Sequence, residues 1–353
     1  MNPGGIGALC RQFDQHSAAS LAPGLGRRTL GRMSPLPTRT EIESAAALVG
    51  AVMPSTPQFS WPLLNARAGC ELWVKHENHT PLGAFKVRGG LVYFDALRRR
   101  EPHLRGVVCA TRGNHGQSVA FAARRHGFTA TVVVPRGNST EKNAAMRALG
   151  ATLIEHGDDF QAAYEHARAL AAAEGWHAMP SFAPELVCGV AVSALDFLKN
   201  APPLDAVYVP IGMGSGICAM MAARDALGLT TRIIGVCSAH APGIALSFAA
   251  GTPVVHPSTT RLADGLACST PDPVAVHHIR RGAERIVQVT DAEVAAAMRA
   301  CFVDTHNVIE GAAAASLAAV LQERALHAGR RIGAVLTGGN VDAAVFARVL
   351  TEG

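Results

Sequence analysis

The chain has 353 residues, of which 49% are hydrophobic and 17% charged, so it is long enough to bury a sizeable globular core. The formal charge of +5 comes from 32 basic and 27 acidic residues that are spread along the chain. The densest basic run, residues 98–100 (Arg-Arg-Arg), has no interleaved aromatic residues; it is typical of a solvated helix end and gives no indication of nucleic-acid binding. The longest uncharged run, residues 206–223, is interrupted by Pro210 and three glycines, so we predict no membrane-spanning segment.

Residues 1–32 differ from the rest of the chain, since they are rich in glycine, serine and arginine and contain Asp14 as their only acid. We expect either a disordered extension, or a sequence that begins upstream of the true initiation site, which would then lie near Met33. A targeting peptide has a similar composition, but the apolar periodicity here is weak. The eight cysteines form no Cys-x-x-Cys pair and several lie in apolar strands, as reduced thiols do in a cytoplasmic protein.

From residue 70 onward, short β-rich runs alternate with helical stretches, several of which end in a glycine such as Gly150, Gly175 or Gly228. Thr290 and Glu293 form a capping-box pattern at the start of a later helix. The predicted strands are 72–75, 106–110, 130–135, 152–155, 206–209, 232–237, 285–289 and 332–336. The predicted helices include 87–100, 114–126, 140–149, 158–174, 186–200 and 215–227. This alternation favours an α/β fold with parallel sheets, in which ligands bind at the carboxyl ends of the strands.

The first chemical signal is the segment 83–90, Gly-Ala-Phe-Lys-Val-Arg-Gly-Gly, which follows the first predicted strand. Its small and aromatic residues give Lys86 an apolar setting, and burial favours the neutral amine. A neutral amine forms a Schiff base with an aldehyde at neutral pH. In isolation, the segment also fits an exposed lysine at the start of a helix.

Three further segments lie next to predicted strands. Residues 111–117 (Thr-Arg-Gly-Asn-His-Gly-Gln) and 212–216 (Gly-Met-Gly-Ser-Gly) each open a helix, and residues 336–340 (Leu-Thr-Gly-Gly-Asn) close the last strand. A glycine-rich loop before a helix suits a phosphate group. A dinucleotide-binding loop is the rival interpretation, but no acid closes the next strand. Residues 111–117 alone also fit an N-cap asparagine after a turn glycine.

Together, and in this order, the four segments resemble those of the fold-type II pyridoxal-phosphate (PLP) enzymes, the tryptophan synthase β-subunit family. Within it they resemble most the serine/threonine dehydratase (threonine ammonia-lyase) branch, over residues 33–353. The resemblance implies a two-lobed α/β fold, with parallel sheets flanked by helices and PLP as cofactor. Residues 33–105 and 183–353 would form the large PLP-binding domain, and 106–182 a small inserted domain. It also implies a homodimer, which no motif indicates.

The resemblance assigns roles to individual residues. Lys86 would carry the cofactor and act as the catalytic base at Cα, Asn114 would bond the ring hydroxyl, and Thr337 would face the pyridine nitrogen. The residues that would hold the cofactor phosphate are Gly212, Met213, Gly214, Ser215 and Gly216. The residues that would receive the substrate carboxylate are Thr111, Arg112, Gly113 and His115.

Three departures from the family pattern bear on the chemistry. Arg112 stands where racemases of the family carry serine, and arginine cannot shuttle a proton at neutral pH, which disfavours racemisation. Its guanidinium either reaches the substrate carboxylate or a polar β-substituent, or points away and pairs with an acid. Residues 235–263 contain no Asp or Glu, so we predict no divalent metal site, although Asp264 and Glu310 leave a monovalent one conceivable. Residues 189–192 read Gly-Val-Ala-Val where relatives often have Gly-Gln-Gly-Thr.

A neutral hydroxyl such as that of Thr337 cannot hold the pyridine nitrogen protonated, which suits β-elimination better than transamination. We therefore predict a catabolic lyase that converts a β-hydroxy amino acid, L-threonine or L-serine first, to a 2-oxo acid and ammonia. Only residues 337–353 follow the last strand, so we expect no regulatory domain. Alternatives are dehydration of a bulkier 3-hydroxy amino acid, β-replacement, racemisation, a dinucleotide-dependent oxidoreductase and a catalytically silent PLP-binding protein. The expected partner is a small amino-acid substrate, with no nucleic acid and no membrane.

Overall fold

The computed structural model describes residues 34–352, so the predictions for residues 1–32 lie outside it. Within this range the chain alternates strands and helices. The strands are β1 (Gln58–Ser60), β2 (Glu71–His76), β3 (Gly106–Ala110), β4 (Thr129–Val134), β5 (Thr152–Glu155), β6 (His177–Ala178), β7 (Ala206–Pro210), β8 (Arg232–Ser238), β9 (Arg285–Val289) and β10 (Arg331–Leu336). The helices are α1 (Arg39–Gly50), α2 (Pro62–Ala68), α3 (Lys86–Arg100), α4 (Asn114–Arg125), α5 (Thr140–Ala148), α6 (Phe160–Glu174), α7 (Pro184–Asn200), α8 (Ser215–Ala226), α9 (Gly243–Ala250), α10 (Pro273–Gly282), α11 (Asp291–Thr305), α12 (Gly311–Gln322) and α13 (Ala343–Thr351).

The strands form two sheets. The larger sheet has the order β1-β2-β10-β7-β8-β9, and the smaller has the order β5-β4-β3-β6. All neighbouring strands are parallel except β1, which is antiparallel to β2. Every residue of β3 and of β7 is buried, as expected for parallel sheets with helices on both faces. The predicted α/β fold with parallel sheets is confirmed.

All eight predicted strands are present, and β1 and β6 were not predicted. These two strands have three and two residues, too few to show an alternating pattern. They form only because a neighbouring strand offers backbone partners, with Gln58 opposite Lys75 in one case and His177 opposite Val107 in the other. The one antiparallel pair is therefore a tertiary feature that local sequence does not encode.

Helix ends follow the predicted signals closely. Gly175 ends α6 in the left-handed conformation at φ +64°, and Gly150 and Gly228 have positive φ just beyond α5 and α8. The Thr290–Glu293 capping box before α11 forms with both hydrogen bonds present. No helix within residues 34–352 combines the length and the hydropathy needed to cross a bilayer.

The alanine-rich helix α12 lies almost wholly buried against the larger sheet. Small side chains let it pack close, and a β-carbon on Gly311 would lie only 2.2 Å from the Leu262 carbonyl oxygen. The residue just before the helix, Glu310, is buried as well. The packing of α12 thus places a carboxylate in the interior, close to the end of β10, where the Glu310 N–H donates to the Gly338 carbonyl at 3.0 Å.

Candidate active site

Lys86 is the first residue of α3, and the loop before it is held by the loop after β10. The Phe85 N–H donates to the Thr337 carbonyl at 3.0 Å. Gly83 has a φ of +66°, and a β-carbon there would lie 2.6 Å from Asn340 Oδ1, so glycine allows the two loops to approach this closely. These contacts place the lysine beside the carboxyl end of β10.

Two residues after Lys86, a buried ion pair holds the first turn of α3 in place. Arg88 Nε lies 2.7 Å from Glu77 Oε2, and the two side chains are 2% and 1% exposed. Thr56 and Ser193 donate their hydroxyl groups to the same carboxylate, so both of its oxygens are satisfied. Burial alone would raise the pKa of Glu77, but the charge of Arg88 and these hydrogen bonds outweigh it and lower the pKa. The cluster therefore remains ionised and anchors the start of the helix that carries Lys86.

The amine of Lys86 lies in a largely buried site, 3.4 Å from the Ser215 hydroxyl. Burial lowers the pKa of this amine to about 8, against a smaller opposing effect from the charge of Glu310. With this pKa, about one amine in ten is neutral at pH 7, against about one in three thousand for an ordinary lysine. Lys86 thus offers the nucleophilic amine that an aldehyde requires.

The glycine loop 212–216 joins the end of β7 to α8, which begins at Ser215. A β-carbon on Gly212 would lie 2.4 Å from the Gly265 carbonyl oxygen, and Gly214 has a φ of +104°. No side chain of residues 34–352 caps the helix start, so the first N–H groups of α8 remain available. Closely approaching backbone and free N–H groups at a helix N-terminus form a cradle that suits a phosphate group.

Asn114 is the first residue of α4, and Gly113 occupies the capping position, so the interpretation of Asn114 as a simple N-cap is wrong. The Asn114 Nδ2 donates to Glu310 Oε1 at 2.7 Å, and its Oδ1 accepts from Asn340 Nδ2 at 2.8 Å. An amide nitrogen carries two hydrogens, so one remains for a further acceptor such as a phenolate oxygen.

The residues predicted to receive a substrate carboxylate lie at the start of α4. Thr111 Oγ1 accepts the Gly113 N–H at 3.0 Å, which fixes the turn. Burial, with a smaller effect from the charge of Lys86, lowers the pKa of His115 to about 3, so the imidazole is neutral. Its Nε2 is buried and has no hydrogen-bond partner among the described residues. Arg112 is half-buried as a residue, and its guanidinium forms no ion pair within residues 34–352. The interpretation that it pairs with an acid therefore has no support among the described residues.

Thr337 is buried and lines one small cavity together with Phe85 and Gly216. Three of the four predicted segments therefore meet at this point. Asn114 joins the fourth segment to them through its bond to Asn340. The structure thus brings together the residues predicted for the cofactor, although their roles remain predictions.

A cluster of charged side chains beside Asn114 was only partly predicted. The Lys142 Nζ lies 2.7 Å from Asp264 Oδ2 and 3.7 Å from Glu310 Oε2. The two carboxylates that left a monovalent-cation site conceivable therefore share an ammonium group. Lys142 was missed because a lysine in the first turn of a polar helix is usually exposed. Asn340 stood in the segment 336–340, but its role as the partner of Asn114 had no sequence signal.

The residues present fit PLP. A largely buried amine with a lowered pKa faces a phosphate cradle, and an asparagine with one free hydrogen and a neutral hydroxyl lie beside it. The orphaned Nε2 of His115 and the free helix start beside it leave polar groups for a bound substrate. These groups match the parts of PLP: the amine suits its aldehyde, the cradle its phosphate, the asparagine its phenolate oxygen and the hydroxyl its pyridine nitrogen.

A two-sheet α/β fold that brings a lysine amine of lowered pKa beside a glycine loop at the strand ends is typical of PLP-dependent enzymes. The chain belongs to the family of pyridoxal-phosphate dependent enzymes, which it matches over residues 52–338. It is 30% identical to an L-threonine ammonia-lyase of Thermotoga maritima over 317 residues, covering 90% of this chain and 79% of the relative. It is 33% identical to a phenylserine dehydratase of Ralstonia pickettii, covering 90% and 98% of the two chains. The processed form of threonine deaminase isoform 2 from Solanum lycopersicum superposes with a TM-score of 0.81 at 26% identity, covering 90% and 95%. The predicted family and cofactor are confirmed.

Proposed function

We propose that this enzyme is an ammonia-lyase that removes the β-hydroxyl group and the amino group of a β-hydroxy amino acid, with L-threonine or L-serine as the first substrates to test. The observation that carries the proposal is the position of Lys86. Its amine lies 3.4 Å from the hydroxyl of Ser215, the residue of the phosphate cradle that begins α8, and has a pKa of about 8. Relatives named for threonine and phenylserine support the same class of substrate.

When bound, PLP supplies the aldehyde that captures the amino acid and the ring that withdraws electrons from Cα. We assign to Lys86 Nζ the role of the base that would accept the Cα proton of the bound substrate. A base with a pKa near 8 takes a proton at neutral pH and also returns it, whereas an ordinary lysine would stay protonated. Ser118 Oγ donates to the Lys86 carbonyl at 2.7 Å and so restrains the backbone while the side chain moves.

The free N–H groups at the start of α4 would hold the substrate carboxylate, since an anion is favoured at a helix N-terminus. Neutral His115 adds a polar edge without a competing positive charge. The Thr337 hydroxyl, in place of a carboxylate, would leave the pyridine nitrogen of bound PLP unprotonated. That arrangement favours departure of the β-hydroxyl over the transfer of an amino group, and so supports a lyase.

A second candidate rests on Arg112. The residue is half-buried, and no acid of residues 34–352 pairs with its guanidinium. A substrate with a polar or larger β-substituent would give this charge a partner. Dehydration of such a 3-hydroxy amino acid is therefore the alternative, and the phenylserine dehydratase among the relatives supports it.

The assembly and location of the enzyme also belong to this proposal. We propose that residues 33–105 with 183–353 and residues 106–182 act as two domains, and the smaller sheet lies wholly within the second range. We further propose a homodimer in the cytoplasm. Seven free cysteines in residues 34–352, five of them buried, support a reducing compartment.

The test is the release of 2-oxo acid and ammonia from L-threonine, L-serine, 3-hydroxyaspartate and phenylserine, with Lys86→Ala as the control. Release that is lost in Lys86→Ala, with the order of kcat/KM across the panel, establishes the lyase and separates the two candidates. Chiral analysis of the recovered substrate distinguishes elimination from racemisation. No release from any member of the panel would refute the lyase and direct the search to β-replacement or to a protein that only binds PLP.

A further inference from the structure

Lys142 joins two parts of the chain that meet at the candidate site. It lies in the first turn of α5, which packs with the smaller sheet, whereas Asp264 and Glu310 belong to segments beside the larger sheet. Its side chain is 9% exposed, and its Nζ lies 2.7 Å from Asp264 Oδ2 and 3.7 Å from Glu310 Oε2. A β-carbon on Gly113 would lie 2.5 Å from Lys142 Cδ, so the lysine stem runs directly behind the turn that begins α4.

The same turn of α5 has two more contacts across this junction. Ser139 Oγ donates to Asp342, and the Ala343 N–H donates to Glu141 Oε1 at 2.9 Å. These contacts dock the helix without the help of Lys142. The buried ammonium is therefore not needed simply to attach α5, and its position calls for another explanation.

That explanation lies in what Glu310 holds. Its Oε1 accepts from Asn114 Nδ2 at 2.7 Å, and its Oε2 is buried with no hydrogen-bond partner in the described part of the chain. The Lys142 ammonium is the cation nearest to that bare oxygen in the ion pairs of residues 34–352. Without it, a carboxylate buried beside Asp264 would lose its charge or move, and the Asn114 amide would lose its acceptor.

We propose that Lys142 is a positioning residue of the active site, whose ammonium takes the place of a bound cation by joining Asp264 to Glu310 and so fixes the carboxylate on which the Asn114 amide rests. Its kinetic consequences rest on the proposed lyase function. In this proposal Lys142 acts on the site through Glu310 and Asn114, the chain of contacts that begins at its ammonium. The arrangement makes a monovalent cation unnecessary at the pair of carboxylates.

The charged groups around Glu310 determine its protonation. Burial raises the pKa of Glu310 to about 7; Lys142 lowers it, Asp264 raises it, and the bond from Asn114 lowers it. Burial alone would lower the pKa of Lys142, but the charges of Glu310 and Asp264 raise it above the ordinary value. The charge of Glu310 also raises the pKa of Lys86, against the larger lowering by burial. Removing Lys142 must therefore raise the pKa of Glu310, and removing the charge of Asp264 must lower it.

The experiment uses the full-length holoenzyme and measures the infrared C=O stretch of protonated carboxyl groups against pH. The band that disappears in Glu310→Gln belongs to Glu310. In Lys142→Met its midpoint should rise by about one pH unit or more, and kcat/KM near pH 7 should fall about tenfold, mainly through kcat. Lys142→Arg, which keeps the cation, should leave the midpoint within about half a unit of wild type.

Arg147→Met is the matched control, since Arg147 lies on the same helix in an exposed ion pair with Glu155 at 3.7 Å. The proposal is overturned if Lys142→Met leaves the midpoint within about 0.3 pH unit of that control, and kcat/KM within about twofold of it. If Lys142→Met does not fold, Asp264→Asn tests the triad from the other side, and a midpoint that fails to fall refutes the proposal. A wild-type enzyme that releases no 2-oxo acid would refute the proposed function alone, because the infrared midpoints still decide the role of Lys142.

Discussion

Replacing Lys86 with methionine should stabilise the cofactor-free protein at neutral pH. Burial lowers the pKa of this amine from 10.5 to about 8 in the folded chain. The unfolded chain then binds more protons than the folded chain between these two values. Stability therefore rises with pH across that window, and below about pH 8 the wild type bears the full cost of the buried amine.

The size of the effect follows from the shift. A lowering of this extent corresponds to about 3 kcal/mol, and we expect about 2 kcal/mol after allowing for the part of the side chain that solvent reaches. Methionine has a similar length and no titratable group. Lys86→Met should thus be more stable than wild type by about 2 kcal/mol at pH 7, and the difference should shrink as the pH rises towards 10.5.

Urea unfolding of both cofactor-free proteins, followed by tryptophan fluorescence from about pH 7 to about pH 10, measures this difference. Lys199→Met serves as the control, since Lys199 is 40% exposed and pairs with Glu43 at 3.6 Å. The control should differ from wild type by less than about 0.5 kcal/mol at every pH. A difference between Lys86→Met and wild type that does not change with pH would show that burial does not lower the pKa of Lys86.

Three further predictions concern the ion pair that anchors α3, the phosphate cradle and the choice of substrate. Arg88→Met leaves Glu77 buried without its cation, so thermal or urea unfolding should show a loss of about 3–5 kcal/mol. A loss below about 1 kcal/mol would show that this ion pair does not anchor the start of α3. Gly212→Ala forces a β-carbon to within 2.4 Å of the Gly265 carbonyl oxygen, and fluorescence titration should show about tenfold weaker PLP binding. Gly50→Ala, with open space around the new carbon, should leave that affinity unchanged. Arg112→Ser should change kcat/KM for 3-hydroxyaspartate or phenylserine relative to L-threonine by about tenfold, and an unchanged ratio across the panel would remove Arg112 from substrate selection.

Local signals were sufficient for most of the fold. The strands that are buried on both faces, such as β3 and β7, read as continuous apolar runs, and glycines such as Gly175 mark helix ends because they adopt the left-handed conformation. The strands β1 and β6 were not predictable, since each is too short to show a pattern of its own and forms only against a neighbouring strand.

The candidate site likewise contains residues that local sequence predicts and residues that it does not. Lys86 and the glycine loop carry their chemistry in consecutive residues, so their sequence context points to a buried amine and an anion cradle. The contact between Asn114 and Glu310 spans 196 positions, and that between Lys142 and Asp264 spans 122. Nothing in the neighbourhood of Lys142 distinguishes it from a surface lysine. Its burial is decided by where α5 docks, which is a property of the whole fold.

The Glu310 carboxylate acts on both Lys86 and Lys142, yet the pKa values of these two lysines shift in opposite directions. Lys86 is buried with only a weak effect from Glu310, so desolvation prevails and its pKa falls to about 8. Lys142 is also buried, but it faces Glu310 and Asp264 together, so attraction prevails and its pKa rises. Burial raises the pKa of Glu310 and the charge of Lys142 opposes that rise, so its pKa is about 7, close to the pKa of the Lys86 amine. In the proposed arrangement, the charge of Lys142 therefore holds Asn114 in place through Glu310, while Lys86 would remain free to exchange a proton with the substrate.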